Sequence, residues 1–149
     1  MGLRQIFGTD KAMESDGIFL EYHNVRVRVR RINGSDKTYA KCMAKLIEPH
    51  QARIDAGVMS DDESTEIFYQ CMAEAGVIEV QAMKDGQWVR GLYASDLDPE
   101  TDSEEIAPDT VENRKALFYA MPDLYRDIAE QTRKIRLFKE EGRRVSEGN

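Results

Sequence analysis

Two contrasting patterns of apolar and polar residues alternate along the chain. Residues 25–32 read VRVRVRRI, in which Val and Arg take turns at successive positions. A period of two with β-branched residues predicts a half-buried strand with one basic face. The apolar residues in 18–22 predict a partner strand, and His23-Asn24 can form the turn. The sequence therefore predicts a β-hairpin over about residues 17–32.

Further along, the apolar residues recur at helical spacing. A stripe that starts at Tyr39 predicts a helix over about 36–57, which Pro49 should kink or break. The capping box Ser60–Glu63 predicts the start of a second helix, over about 61–76.

The clearest helical pattern lies toward the C-terminus. Apolar residues recur there at steps of four, three, four, seven and three: Leu117, Met121, Leu124, Ile128, Ile135 and Phe138. This heptad-like stripe predicts a helix over about 110–141, with a break or kink at Pro122.

The segment between these helices is ambiguous. Residues 77–80 fit either a strand or a further helical turn, Asp85-Gly86 is a turn signal, and residues 87–89 fit a short returning strand. The predicted fold class is mainly α with a small N-terminal β-hairpin (α+β), a compact helical domain. We expect a single domain over 15–141, a flexible arm over 1–14 and a frayed tail over 142–149.

The acidic excess of the chain is local. The 149 residues carry 28 acids and 21 bases, a formal charge of -7. Seven acids and no base fall within residues 95–109, which we expect to form an acidic loop. General nucleic-acid binding is disfavoured because such affinity comes largely from cations. We therefore expect no nucleic-acid partner. No apolar run approaches the roughly 18 residues of a membrane-spanning helix, and no secretory signal precedes Asp10. We expect a cytoplasmic protein that does not bind membranes.

The residues that catalysis or metal binding would need are not arranged for either. Cys42 and Cys71 fall on apolar helix faces, and His23 and His50 lie outside any nucleophile motif. The acids in 96–102 alternate as in a calcium loop but lack its central Gly and final Glu. A solvated acidic loop is the favoured interpretation, with weak cation binding as the alternative. We expect no enzymatic activity, no metal and no cofactor.

Two surfaces remain as candidates for binding a partner. The basic strand face is either an ordinary solvent-facing surface or a site for acidic groups, including the acidic loop of a neighbouring chain. The C-terminal stripe either packs in the core or forms a partner groove or oligomer seam. The candidate partner-binding residues are Leu117, Phe118, Met121, Leu124, Tyr125, Ile128, Arg26, Arg28 and Arg30.

An ordered series of features runs from about Ile18 to Phe138. A strand pair is followed by a helix with Tyr39 near its start, a second short helix, and the Asp-Gly turn. The strongest part is APDTVENRKALFYAMPDLYRDIAEQTRKIRLF, residues 107–138. It combines a Thr-x-Glu-Asn helix start, a Leu-Phe pair, a Pro-Asp-Leu-Tyr segment and a final Phe.

This series resembles the tail assembly chaperones of long-tailed bacteriophages. Two features depart from the family pattern, because Trp88 follows the Asp-Gly turn and the acidic segment before Pro108 is longer. The resemblance implies a non-enzymatic protein of the host cytoplasm. It would bind the helical tape-measure protein, and the tail-tube protein is a further candidate partner. The client would stay soluble while the tail tube assembles.

Several alternatives stay open. The main one is a virion structural or adaptor protein, or another small phage interaction protein without catalytic activity. An acidic mimic of nucleic acid and an enzyme are weaker alternatives. Whether the chain forms a homo-oligomer is also open.

Overall fold

The computed structural model describes residues 2–138, so the predicted helix end near 141 and the predicted tail over 142–149 lie outside the described residues. The helices and strands follow in the order α1 Leu3–Phe7, α2 Lys11–Asp16, β1 Ile18–Tyr22, β2 Val25–Val29, α3 Thr38–Ile47, α4 Gln51–Asp55, α5 Asp61–Cys71, β3 Val77–Lys84, β4 Gln87–Arg90, β5 Leu92–Tyr93, α6 Ala94–Leu97, β6 Ile106–Ala107, α7 Val111–Ala120 and α8 Pro122–Gln131. The segments Glu48–His50 and Ile135–Phe138 are 3₁₀-helical, and Met72–Gly76 forms a π-helical turn.

Four strands form one antiparallel sheet in the order β1-β2-β3-β4, and β5 pairs with β6 separately. The chain leaves β2, passes through α3, α4 and α5, and returns as β3 beside β2. Val27 pairs with Leu20 of β1 on one side and with Val80 of β3 on the other. Strand alternation therefore collects the β-branched residues on the face that packs against the helices.

The predicted fold class is wrong. Helices account for 52% of the chain and strands for 19%, and the sheet has four strands, so the fold is α+β and not mainly α with a small hairpin. The reason is a β-bulge opposite Arg28 and Val29, where the register of β2 against β3 shifts. Because of it, Val77 and Val80 are both buried although they stand three apart. A spacing of three is also typical of a helix, and the sequence left residues 77–80 open between a strand and a helical turn.

Local signals in the sequence are confirmed. The 3₁₀ segment at Pro49 separates α3 from α4, and Met121 separates α7 from α8 just before Pro122. Ser60 caps α5 by accepting a hydrogen bond from the Glu63 amide at 3.2 Å. The Asp85-Gly86 turn has positive φ at both residues, which is the two-residue hairpin geometry that Asp-Gly favours.

The core lies between the inner face of the sheet and helices α3, α5, α7 and α8. One cluster of buried residues joins strand residues such as Val27 to helix residues such as Cys71, Phe118 and Ile128. Helices thus cover one face of the sheet. The opposite face carries the partly exposed Arg side chains of β2.

Arg114 of α7 lies inside this core, with 7% of its surface exposed. Its Nε and Nη2 atoms donate to the two carboxylate oxygens of Asp109, at 2.6 and 2.9 Å. Its remaining hydrogen bonds go to the carbonyl oxygens of Ala73, Val77 and Ile78, at 2.8 to 3.0 Å. These carbonyls sit where the π-helical turn passes into β3. All five N–H groups of the guanidinium are therefore used to hold α7 against this junction.

Asp109 is the second half of this buried pair and does not lie in a solvated loop. Its side chain is 1% exposed, and it also accepts hydrogen bonds from the Val80 amide at 3.1 Å and from Arg90 Nε at 3.0 Å. Burial by itself would raise the pKa of Asp109. The hydrogen bonds and the positive charge of Arg114 outweigh burial and lower it.

Glu14 is a second buried carboxylate and joins the first residues of the chain to the body. Its side chain is 1% exposed and accepts hydrogen bonds from Thr9 Oγ1 at 2.5 Å, from Arg31 Nη1 at 2.6 Å and from the amide and hydroxyl of Ser35. Burial by itself would raise the pKa of Glu14, but these bonds lower it to about 2. Gly34 leaves room for the carboxylate, since a Cβ there would lie 2.7 Å from it.

Removing one half of the buried pair should be costly. Asp109→Ala leaves the Arg114 charge without its counter-ion, so we expect the free energy of unfolding to fall by about 3–5 kcal/mol. The control is Asp123→Ala, which removes the exposed acid paired with Arg126 and should cost less than about 0.5 kcal/mol. Urea unfolding measures both. Equal losses in the two variants would contradict the assigned role of Asp109.

The stabilisation from Glu14 should depend on pH. Because its pKa falls from 4.5 to about 2 on folding, the carboxylate stabilises the fold above pH 4.5, and this contribution is lost as the pH falls toward 2. The gap in unfolding free energy between the wild type and Glu14→Gln should therefore shrink over that range. Urea titrations at several pH values measure it, with the exposed Glu21→Gln as control. A gap that does not change with pH would show that Glu14 is not ionised in this way.

Candidate functional site

A groove opens where the tip of the β1–β2 hairpin approaches the junction of α7 and α8. We call it the hairpin groove. It is a cavity of about 320 Å³ lined by Tyr22, His23, Asn24, Val25, Tyr93, Asp96, Leu117, Met121 and Leu124. Its lining is mainly apolar and aromatic, with one carboxylate, as is typical of sites that bind by contact area.

The helix wall of the groove exists because of Pro122. Proline has no N–H and its ring clashes with the preceding turn, so α7 cannot continue through it, whereas the first turn of α8 accepts it. Met121 lies between the two helices with φ -134° and ψ 77°. Its carbonyl accepts a hydrogen bond from the Leu124 amide at 3.1 Å. Met121 and Leu124 are half-buried, while Leu117 lies deeper, 3% exposed.

The hairpin wall is held in place by two long-range hydrogen bonds. Tyr22 Oη donates to Asp127 Oδ2 of α8 at 2.6 Å, and the Met83 amide donates to the Asn24 carbonyl at 2.8 Å. Burial, together with the hydrogen bond to Asp127, raises the pKa of Tyr22. The hydroxyl therefore stays protonated and donates the hydrogen bond. The two hydrogen bonds connect the hairpin tip to α8 and to β3.

The short strand β5 and helix α6 supply Tyr93 and Asp96 to the groove. Gly91 precedes β5 with φ 144°, and a Cβ at this position would lie 2.6 Å from the Ala107 carbonyl oxygen, so only glycine fits against β6. The Tyr93 hydroxyl donates to the Met83 carbonyl. Asp96 stands in the first turn of α6, where burial raises its pKa.

The six helical residues proposed from the sequence separate into three groups. Leu117, Met121 and Leu124 come together in the hairpin groove. Phe118 and Tyr125 pack against the ring of Tyr69 of α5, with ring centres 5.7 and 4.6 Å apart. The sixth, at position 128, is 0% exposed and belongs to the core.

The three arginines proposed from the sequence make contacts outside the hairpin groove. The guanidinium carbon of Arg26 lies 4.1 Å from the ring centre of Phe19 and 4.6 Å from that of Trp88. Arg28 and Arg30 each donate a hydrogen bond to a main-chain carbonyl, at 2.5 and 3.2 Å. Within the described chain, these contacts of the three arginines do not involve the acidic segment between α6 and β6.

Six groove residues were not among those proposed from the sequence: Tyr22, His23, Asn24, Val25, Tyr93 and Asp96. The burial of Tyr22 could be predicted, because Tyr22 lies on the same strand face as Leu20. Its hydrogen bond to Asp127 could not, because Asp127 is distant in the sequence. Asp96 looked like one more acid of a solvated loop, because sequence spacing does not show that α6 turns it toward α7.

Comparison of the chain with protein-family models, with curated proteins and with solved structures finds no match. Among residues 2–138, no helix is both long and apolar enough to cross a membrane. The same residues contain no group of three or more His, Cys, Asp or Glu side chains that could hold a metal ion. A second cavity, of about 790 Å³, lies beside Glu14 and is lined largely by polar residues.

The Tyr22 hydrogen bond should contribute to stability. Tyr22→Phe leaves the Asp127 carboxylate without this donor, and we expect a loss of about 1–3 kcal/mol in the free energy of unfolding. Tyr119→Phe is the matched control, since its hydroxyl contacts the exposed acid Glu66 and its loss should cost less than about 0.5 kcal/mol. Thermal or urea unfolding measures both. A larger loss in Tyr119→Phe would contradict this account of the hairpin tip.

Proposed function

We propose that the protein is an assembly chaperone that binds a helical segment of another protein in the hairpin groove. The features that resemble phage tail assembly chaperones suggest the client, which is the tape-measure protein. The chaperone would keep this long helical protein soluble until tail-tube subunits cover it.

The observation that carries the proposal is the apolar helix wall of the groove. Leu117, Met121 and Leu124 stand at steps of four and three, and they face an aromatic and β-branched hairpin tip across a cavity of about 320 Å³. Helix-in-groove recognition uses apolar anchors at the same steps on the incoming helix. The groove therefore offers a complementary surface to one amphipathic helix.

The negative charge near the groove supports the proposal of a chaperone that works in solution. The acids of the segment after Asp96 are exposed: Asp98, Glu100, Asp102, Glu104 and Glu105. A negative surface beside an apolar groove attracts basic residues that flank an apolar helix, and it repels other copies of the complex. Both effects suit a holder of an aggregation-prone client.

The first test is co-expression with the longest helical protein encoded nearby. We expect that protein to become soluble and to co-elute with this chain, and we expect the chain to be absent from finished particles. The chaperone proposal fails if the client stays insoluble both without and with this chain, or if purified particles retain the chain in fixed stoichiometry. The interpretation as a virion structural protein then replaces it.

Variants of the groove should separate binding from folding. Leu124→Asp and Met121→Glu place charge on half-buried groove positions, and we expect at least about a tenfold loss of co-purified client with helicity unchanged. Phe68→Asp is the control, since Phe68 is 47% exposed on α5, outside the groove. Pull-down and circular dichroism measure the two properties. Loss of client binding in Phe68→Asp but not in the groove variants would move the site to α5.

A further inference from the structure

Asp96 is the acidic residue of the hairpin groove, and among residues 2–138 its carboxylate has no counter-ion. Among the described residues it makes no hydrogen bond and no ion pair. The two tyrosine hydroxyls of the groove donate elsewhere, that of Tyr22 to Asp127 and that of Tyr93 to Met83. Burial is the one cause that shifts the pKa of Asp96, and it raises it. The carboxylate is thus partly removed from water without compensation.

An incoming helix would remove still more water from this carboxylate. A purely apolar helix would leave a charge buried and unpaired, which is costly. A helix that brings a Lys or Arg to the same place would form a charge-assisted hydrogen bond in a partly dry site. The groove therefore discriminates between two otherwise similar amphipathic helices.

We propose that the hairpin groove selects an amphipathic helix that carries a Lys or Arg within its apolar stripe, and that Asp96 receives this cation. The inference rests on the proposed function and deepens it. Leu117, Met121 and Leu124 supply affinity for the apolar residues of the helix. Asp96 determines which helix binds and at which position along the groove it lies. The exposed acids that follow Asp96 contribute only screened, long-range attraction.

The experiment is a selection from displayed helical peptides. The probe is a library of peptides of about 20 residues, with Leu fixed at helical spacing and the remaining positions random. The baits are the wild-type chain, Asp96→Asn and Asp98→Asn. Asp98 is exposed and stands two residues away, so its variant loses the same charge without changing the groove. A Leu124→Asp bait reports whether a selected peptide occupies the groove.

The proposal expects wild-type and Asp98→Asn baits to enrich peptides with a Lys or Arg at one fixed position in the apolar stripe. The Asp96→Asn bait should enrich an uncharged residue there. In solution, a selected peptide should bind Asp96→Asn at least about tenfold more weakly than wild type, and Asp98→Asn within about threefold. Replacing the selected Lys by Met should remove this difference.

Two failures are distinguishable. In the first, the selected peptides depend on Leu124 but carry no preferred cation, or carry the same cation on the wild-type and Asp96→Asn baits. That result would overturn the role of Asp96 but not the assignment of the groove as a helix site. If no selected peptide loses binding to Leu124→Asp, the groove is not a helix site, and both the inference and the proposed function are overturned.

Discussion

The buried pair of Arg114 and Asp109 is the constraint on which the rest of the structure depends. Arg114 donates hydrogen bonds to three main-chain carbonyls where the π-helical turn passes into β3. Asp109 accepts hydrogen bonds from the Val80 amide of β3 and from Arg90 of β4. One guanidinium therefore fixes α7 against the sheet. Because removal of either charge leaves the other buried, these connections depend on one another.

The position of the hairpin groove follows from that constraint. Arg114 lies one turn before Leu117, so fixing α7 also fixes the helix wall of the groove. Pro122 then ends α7 and turns the chain at Met121, and α8 offers Asp127 to the Tyr22 hydroxyl. A buried ion pair, a proline and one tyrosine together place an apolar surface beside the hairpin tip. In the proposed function, the client binds the surface that these three local features leave exposed.

The features readable from the sequence are those that depend on near neighbours. The alternation of β2, the cap at Ser60 and the break before Pro122 all follow from a few consecutive residues. The strand β3 stayed undecided between strand and helix, because its bulge places Val77 and Val80 on one face at a helix-like spacing. The buried role of Arg114 could not be predicted from the sequence, since its carbonyl partners lie 36 to 41 positions away. The place of Asp96 could not be predicted either, because the groove residues around it, such as Tyr22 and Leu117, come from distant parts of the chain.

The central claim is that the client lies in the hairpin groove, and photocrosslinking tests it most directly. A photoreactive amino acid would replace Met121, and a second variant would carry it in place of the exposed Phe68 of α5. In cells that assemble tails, the account predicts crosslinks from position 121 to the tape-measure protein and few from position 68. Crosslinks to that protein from position 68 alone, or from neither position, would contradict it.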